Sequence, residues 1–401
     1  MEKSAARSMF AGMRWLCILL AAGASAFAQI PTAPRTPDSQ FLVAPPAVAS
    51  TPNDQARFLS GLRVSPGSPL EAWQRTPEYL AHARDYAAMW KRFDARYFGE
   101  MRRFAAQQLA PRIGTTQTLT YFFSGPDFIN AYALFPDAPV YILVGLESVG
   151  SIVPPEQLDV PRLQAGLANL RKSTGVTLQF SFFITKDMKI DLEQTDFKGV
   201  LPIIESFIAL GGGQITHVAP FSPGGGLPGV EIRFRKTPDA PEQIVYYIQA
   251  DLSNDGMKSH PALLAWVAHF QPAVAYLKAA SYLLHEPYFS RSRDFLLTHS
   301  VAILQDDSGI PLKYFLASGP WQLNFFGTYT APLDLFKKYP QPDLAAAYQS
   351  AGATPLDFGT GYKWKKGESN LMLAIRQAAA PRAEVPHPTS PAPPVPGNPG
   401  F

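Results

Sequence analysis

The sequence predicts an α/β protein: a mixed sheet with a Rossmann-like parallel part flanked by helices, preceded by a helical segment. Three observations carry this. Residues 118–123 (TLTYFF) and 140–146 (VYILVGL) are β-branched, aromatic or continuously apolar, as strands buried on both faces are. Between them SGPD breaks the first run and FINAYALF follows; the interval of about 15 residues suffices for a helical crossover between parallel strands. Beyond residue 146, helix-like and strand-like runs alternate to residue 375.

The 401 residues carry Lys+Arg 35 against Asp+Glu 32, a net charge of +3. That balance lacks the dense basic surface of a nucleic-acid binder, so nucleic acid is not an expected partner. A hydrophobic share of 46% excludes a mostly disordered chain.

Residues 1–28 read as a signal peptide. Lys3, Arg7 and Arg14 are basic, residues 15–24 (WLCILLAAGA) are apolar, and Ala26-Phe27-Ala28 supplies a small-x-small site. Cleavage near Ala28 is expected, with a periplasmic or secreted product. The apolar run falls short of the roughly 20 residues that span a bilayer, so no transmembrane anchor is expected in the mature chain. Cys17, the only cysteine, lies inside that run, leaving no expected disulfide or thiol nucleophile. Residues 29–55 read as a Pro-rich linker and 377–401 as a Pro-rich disordered tail. A single globular domain is expected over 56–376.

Within that domain, residues 69–109 predict two or three helices. Tyr86, Met89, Trp90, Phe93 and Tyr97 form their apolar stripe. A strand follows at 176–185 (VTLQFSFFIT), then a helix at 200–210 (VLPIIESFIAL) stopped by three glycines. Strands are expected at 214–219, 230–235 and 244–250, and helices at 261–270, 274–284 and 292–298. Residues 321–329 and 358–364 are strand-like, and Lys366-Gly367 is placed to turn a hairpin into a strand at 370–375.

The run 122–148 (FFSGPDFINAYALFPDAPVYILVGLES) resembles the opening of a Rossmann-type methyltransferase domain: a strand, a Gly loop, a helix and a second strand ending in an acid. Glu147 stands in the acid's place. Residues 200–218 resemble a later helix–Gly–strand step of that fold. The resemblance implies a nucleotide-binding fold over residues 117–218. The chain as a whole is similar to uncharacterised exported bacterial proteins.

In open α/β sheets ligands bind beyond the carboxyl ends of the strands. Asp127 and Glu147 each follow a predicted strand, and with Ser124 they would share one rim. Two carboxylates there can divide acid and base roles or hold a divalent metal through oxygen. Alternatively, Asp127 caps the helix that starts at Phe128. Asp306 and Asp307, in QDDSG after an apolar run, suit either cation binding or a tight turn. His285, placed at the end of the helix expected at 274–284, is a candidate acid–base group or a cation favoured by the helix dipole. The sequence holds no H-E-x-x-H, G-x-S-x-G, S-x-x-K or Walker loop.

Three functions follow. The first is a hydrolase without organic cofactor, acting on a small molecule or envelope component through Asp127, Glu147, Asp306 and Asp307, with His285 or Ser124 assisting. The second is a non-catalytic ligand-binding or envelope-interaction protein. The third is a Rossmann-like nucleotide-binding relative.

Overall fold

The computed structural model describes residues 49–180 and 195–377. The signal-like segment, the linker to residue 48, residues 181–185 of the strand expected at 176–185, and the tail from 378 lie outside the described residues.

Among the described residues, nine strands form one sheet. They are β1 (Thr118–Phe122), β2 (Val140–Gly145), β5 (Gln214–Phe221), β6 (Gly229–Arg235), β7 (Gln243–Gln249), β8 (Ala273–Leu277), β9 (Ser300–Gln305), β10 (Trp321–Gly327) and β11 (Asn370–Arg376). Two short strands, β3 (Ser151–Ile152) and β4 (Phe197–Lys198), pair apart from it. The sheet order is β10-β11-β9-β8-β1-β2-β7-β6-β5. The central strands β7, β2, β1, β8 and β9 are mutually parallel. Numbered among themselves in chain order they run 3-2-1-4-5, the order of a doubly wound Rossmann sheet. Antiparallel strands extend both edges, β6 and β5 on one side and β11 and β10 on the other.

Period-two alternation explains why these runs are strands buried on both faces. Leu119, Tyr121, Tyr141, Leu143, Val274 and Tyr276 point into one core, under the helices Pro52–Leu59, Phe128–Leu134 and Leu201–Leu210. Phe122, Ile142, Val144, Ala275 and Leu277 point into the other, under Pro261–Ala268 and Ser290–His299. Each fully buried Phe or Leu contributes roughly 1.5–3 kcal/mol of transfer free energy.

The aromatic stripe of the N-terminal helices is core as expected: Phe93, with Met89, Trp90 and Tyr97 partly buried, packs on the first core, and Tyr86 is fully buried with its hydroxyl on Thr174. Helix Pro77–Phe93 continues through π-helical turns at Asp94–Phe98 and Ala105–Leu109 to Ile113, a single run instead of two or three helices.

Four expectations are corrected. Residues 274–284 are not a helix: Ala273–Leu277 is the strand β8, inserted beside β1. Residues 176–180 end the helix Val160–Phe180 and are not a strand. Residues 358–364 contribute an isolated bridge, and β11 pairs with β10 and β9 instead of folding back on them. Pro52, within the expected linker, opens a helix capped by the Thr51 hydroxyl. Among the described residues no helix is long and apolar enough to cross a membrane.

Candidate functional site

The register of the parallel strands delivers four loops to one edge. Phe122 pairs with Val144, and the Ser124 amide donates to the Val144 carbonyl at 3.0 Å. Gly145 pairs with Gln249, and the Ala250 amide donates to the Gly145 carbonyl at 2.9 Å. β8 lies on the other side of β1, so the order in which successive strands are added reverses between β1 and β8. A cavity of about 140 Å³ opens there. Ser124, Asp127, Glu147, Asp251, Lys278 and Tyr362 supply its polar wall, with Phe123, Leu283 and Phe289 on the apolar side. This is where a doubly wound sheet binds its ligand.

Asp127 and Glu147 therefore share a rim, together with Ser124, yet their surroundings differ. Asp127 is 3% exposed and its Oδ2 accepts a hydrogen bond from the Lys278 ammonium at 2.6 Å. Its side chain makes no capping bond to the helix Phe128–Leu134, which removes the capping reading. Oδ1 is buried beside the Tyr121 hydroxyl, and among the described residues neither atom has another hydrogen-bond partner. Burial pushes its carboxyl above the usual range, and the Lys278 charge pulls it back. Glu147 is half-buried. Its carboxylate lies over Gly145, where an added Cβ would stand 2.8 Å from Glu147 Oε2, 2.8 Å from the Tyr247 hydroxyl and 3.0 Å from the Gly125 amide nitrogen. A side chain at 145 would have to displace the Glu147 carboxylate and the Tyr247 hydroxyl and press on the Gly125 amide.

Asp306 and Asp307 do not line the cavity. They hold its wall from behind. Asp306 Oδ2 accepts from the Ala279 amide at 2.9 Å, and Oδ1 accepts from the Ser308 amide at 3.0 Å and hydroxyl at 2.5 Å. Ser308 Oγ in turn accepts from the Ala280 amide at 2.8 Å. Asp307 accepts from the Tyr282 hydroxyl and from Asn370 at 2.8 Å, with Lys363 at 3.7 Å. Burial, reinforced by the neighbouring Asp307, raises the Asp306 carboxyl to about 6.

What this network restrains is a strained loop. Among the described residues, the non-glycine positions with left-handed backbone are Phe123 (φ 62°), Ala279 (φ 51°), Ser281 (φ 53°) and Tyr282 (φ 56°). The first three line the cavity. Such conformations cost about 1–3 kcal/mol each and persist where surrounding bonds over-determine them. Tyr362 adds two more bonds, donating to the Ala279 carbonyl at 2.9 Å and meeting Ser281 Oγ at 2.7 Å.

His285 also lies away from the cavity. It ends the short 3-10 helix Leu283–His285 instead of a helix over 274–284, between the rings of Tyr282 (5.0 Å) and Tyr339 (5.2 Å). Burial lowers it to about 4, and its Nε2 has no hydrogen-bond partner among the described residues. Among those residues no group of three or more His, Asp or Glu side chains is arranged to hold a metal ion.

Sequence reasoning missed Lys278, Asp251 and Tyr362. Lys278 was hidden because its strand reads as a helix. Asp251 follows β7 as Asp127 follows β1, a signal that the strand-end rule would have found. Its two oxygens accept from the Ser253 amide and hydroxyl, each at 2.8 Å. A scan against protein families and a search of curated proteins both find no match for this chain.

Proposed function

We propose that the protein binds a nucleoside-type small molecule, neutral or cationic, in the cleft at the switch between β1 and β8. The observation that carries this reading is the buried carboxyl of Asp127 at the cleft, with Lys278 on Oδ2 and only the Tyr121 hydroxyl beside Oδ1 among the described residues: acceptor capacity is left for a ligand's hydroxyl or ammonium. Three further features support it. Glu147 follows Gly125 at the spacing of about 20 residues at which Rossmann folds place the acid that binds a ribose hydroxyl. Three carboxylates (Asp127, Glu147, Asp251) face the cleft against one ammonium, Lys278. Pro126 offers no N–H and Asp127 stands at the start of the following helix, so a phosphate finds no cradle there. These features fit the resemblance to Rossmann-type methyltransferases, whose adenosyl sulfonium donor carries a ribose diol and an ammonium. Glu147 would hold the diol and Asp127 the ammonium. When bound, that group would supply an activated methyl.

The carboxylate hydrolase reading draws less support. Of its candidates, Ser124, Asp127 and Glu147 meet in the cleft, while Asp306, Asp307 and His285 are held in separate polar and aromatic packing. A thermal-shift comparison of adenosine, S-adenosylhomocysteine and ADP tests the proposal. Stabilisation by the first two and not by ADP is expected. A response to ADP alone, or to none of the three, overturns it.

A further inference from the structure

A second cavity, of about 190 Å³, shares no lining residue with the first and lies between the helices Pro77–Phe93 and Val160–Phe180. The helices run side by side in the same direction: Arg171 meets His82 at 3.2 Å, and one turn further on Tyr86 meets Thr174 at 2.9 Å. On the second helix Val160, Leu163, Gln164, Leu167, Ala168 and Arg171 line the groove, spaced at three and four residues along one face. At 1.5 Å per residue that stripe is roughly 16 Å long. Its two ends differ. Val160, Trp73 and Leu163 make one end mainly apolar, with Thr76 and the exposed Glu78 at its rim, and Val160 is 47% exposed. His82, Asp85 and Arg171 make the other end polar.

Arg171 is half-buried, and among the described residues its one hydrogen-bond contact is the His82 ring. His82 Nε2 faces the Leu59 carbonyl at 3.0 Å, so that nitrogen carries the proton and Nδ1 accepts from the guanidinium. Burial keeps the ring neutral, lowering it to about 4. A neutral imidazole therefore aims an arginine whose remaining donors meet no carboxylate among the described residues. Asp85 pairs with Arg84 at 3.6 Å, and Glu78 is exposed on the rim.

From this geometry we infer that the groove is a second binding site, for an apolar monocarboxylate of the medium-chain fatty-acid type. The carboxylate takes the free fork of Arg171 and the chain runs along Leu167 and Leu163 toward Trp73 and Val160. A guanidinium is the preferred bidentate partner of a carboxylate. The volume exceeds that of an engineered cavity of about 150 Å³ that takes up benzene. Glu78, one turn before His82 and so toward the far end of the groove, disfavours a second negative charge there, which selects monoacids over diacids.

Calorimetric titration of the full chain with octanoate, octanol and octanedioate tests this. Saturable octanoate binding is expected, with octanol and octanedioate about tenfold weaker or worse. Arg171→Met should reduce octanoate to the level of octanol, while Glu147→Gln in the other cleft should leave it unchanged. Ala168→Phe, at an exposed position of the groove one turn before Arg171, should fill the groove and block octanoate while leaving the guanidinium and the core in place, and it decides the matter should Arg171→Met not fold. Equal binding of octanoate and octanol, unchanged affinity in a folded Arg171→Met or Ala168→Phe variant, or no octanoate binding at all overturns the inference.

Discussion

Two acidic groups sit at the carboxyl edge of the same sheet with opposite outcomes. Asp306 and Asp307 have every oxygen engaged, by backbone amides, Ser308, Tyr282 and Asn370. Asp127 has one oxygen on Lys278 and, among the described residues, only the Tyr121 hydroxyl beside the other, at the edge of a cavity. A strand-end acid is thus not a site by position alone. Saturated hydrogen bonding makes it a scaffold, here for the left-handed loop that forms the cavity wall. Unfinished hydrogen bonding beside open space makes it a receptor.

The largest expected break of this contrast is Asp306→Ala. It orphans the Ala279 amide and both Ser308 donors and frees the strained loop, costing about 3–5 kcal/mol in urea unfolding. Lys278→Met comes next, at about 3 kcal/mol, because it leaves the Asp127 carboxyl buried without its cation. Adding Asp127→Leu to that variant should restore most of the loss, since an apolar pair replaces a buried ion pair with little penalty.

Glu205, on the helix Leu201–Leu210, sharpens the comparison further. It is 2% exposed, its Oε2 is unpartnered among the described residues, and neither cavity reaches it. Burial alone raises it to about 8. The folded chain therefore holds a proton that the unfolded chain releases near pH 4.5. Its contribution is full at low pH and is lost as pH rises through 8. His82 and His285, both lowered to about 4, act in the opposite sense, but only below 6.5, where unfolded imidazoles become charged. Between pH 6.5 and 8 stability should fall by up to about 1.4 kcal/mol per pH unit, and Glu205→Gln should flatten that slope. A flat wild-type profile would count against a carboxyl that is buried and unpaired there.

Much of the fold was legible, and the reason is texture. TLTYFF and VYILVGL can hardly be anything but buried strands, and the break at SGPD marks the crossover. β8 was not legible: AVAYLKAASYLL is a short apolar run rich in Ala and Leu, which periodicity cannot tell from a buried helix. Tertiary context decides it, because the slot beside β1 buries Val274 and Tyr276 on one face and Ala275 and Leu277 on the other. Misreading β8 hid Lys278, and with it the difference between Asp127 and Glu147. The rim itself was readable from strand direction alone. Which acids would be satisfied there was not, since Tyr282, Asn370 and Lys363 reach Asp307 from distant parts of the chain.

The smallest structural effect belongs to Glu147→Gln. The side chain is half-buried at the rim, so unfolding stability should change by under about 0.5 kcal/mol. The same substitution supplies the most direct test of the receptor role. Titrated with S-adenosylhomocysteine, the native chain should bind saturably at one site, and Glu147→Gln should bind about tenfold or more weakly at unchanged stability. Indistinguishable affinities for the two chains, or no binding by the native one, would contradict the account.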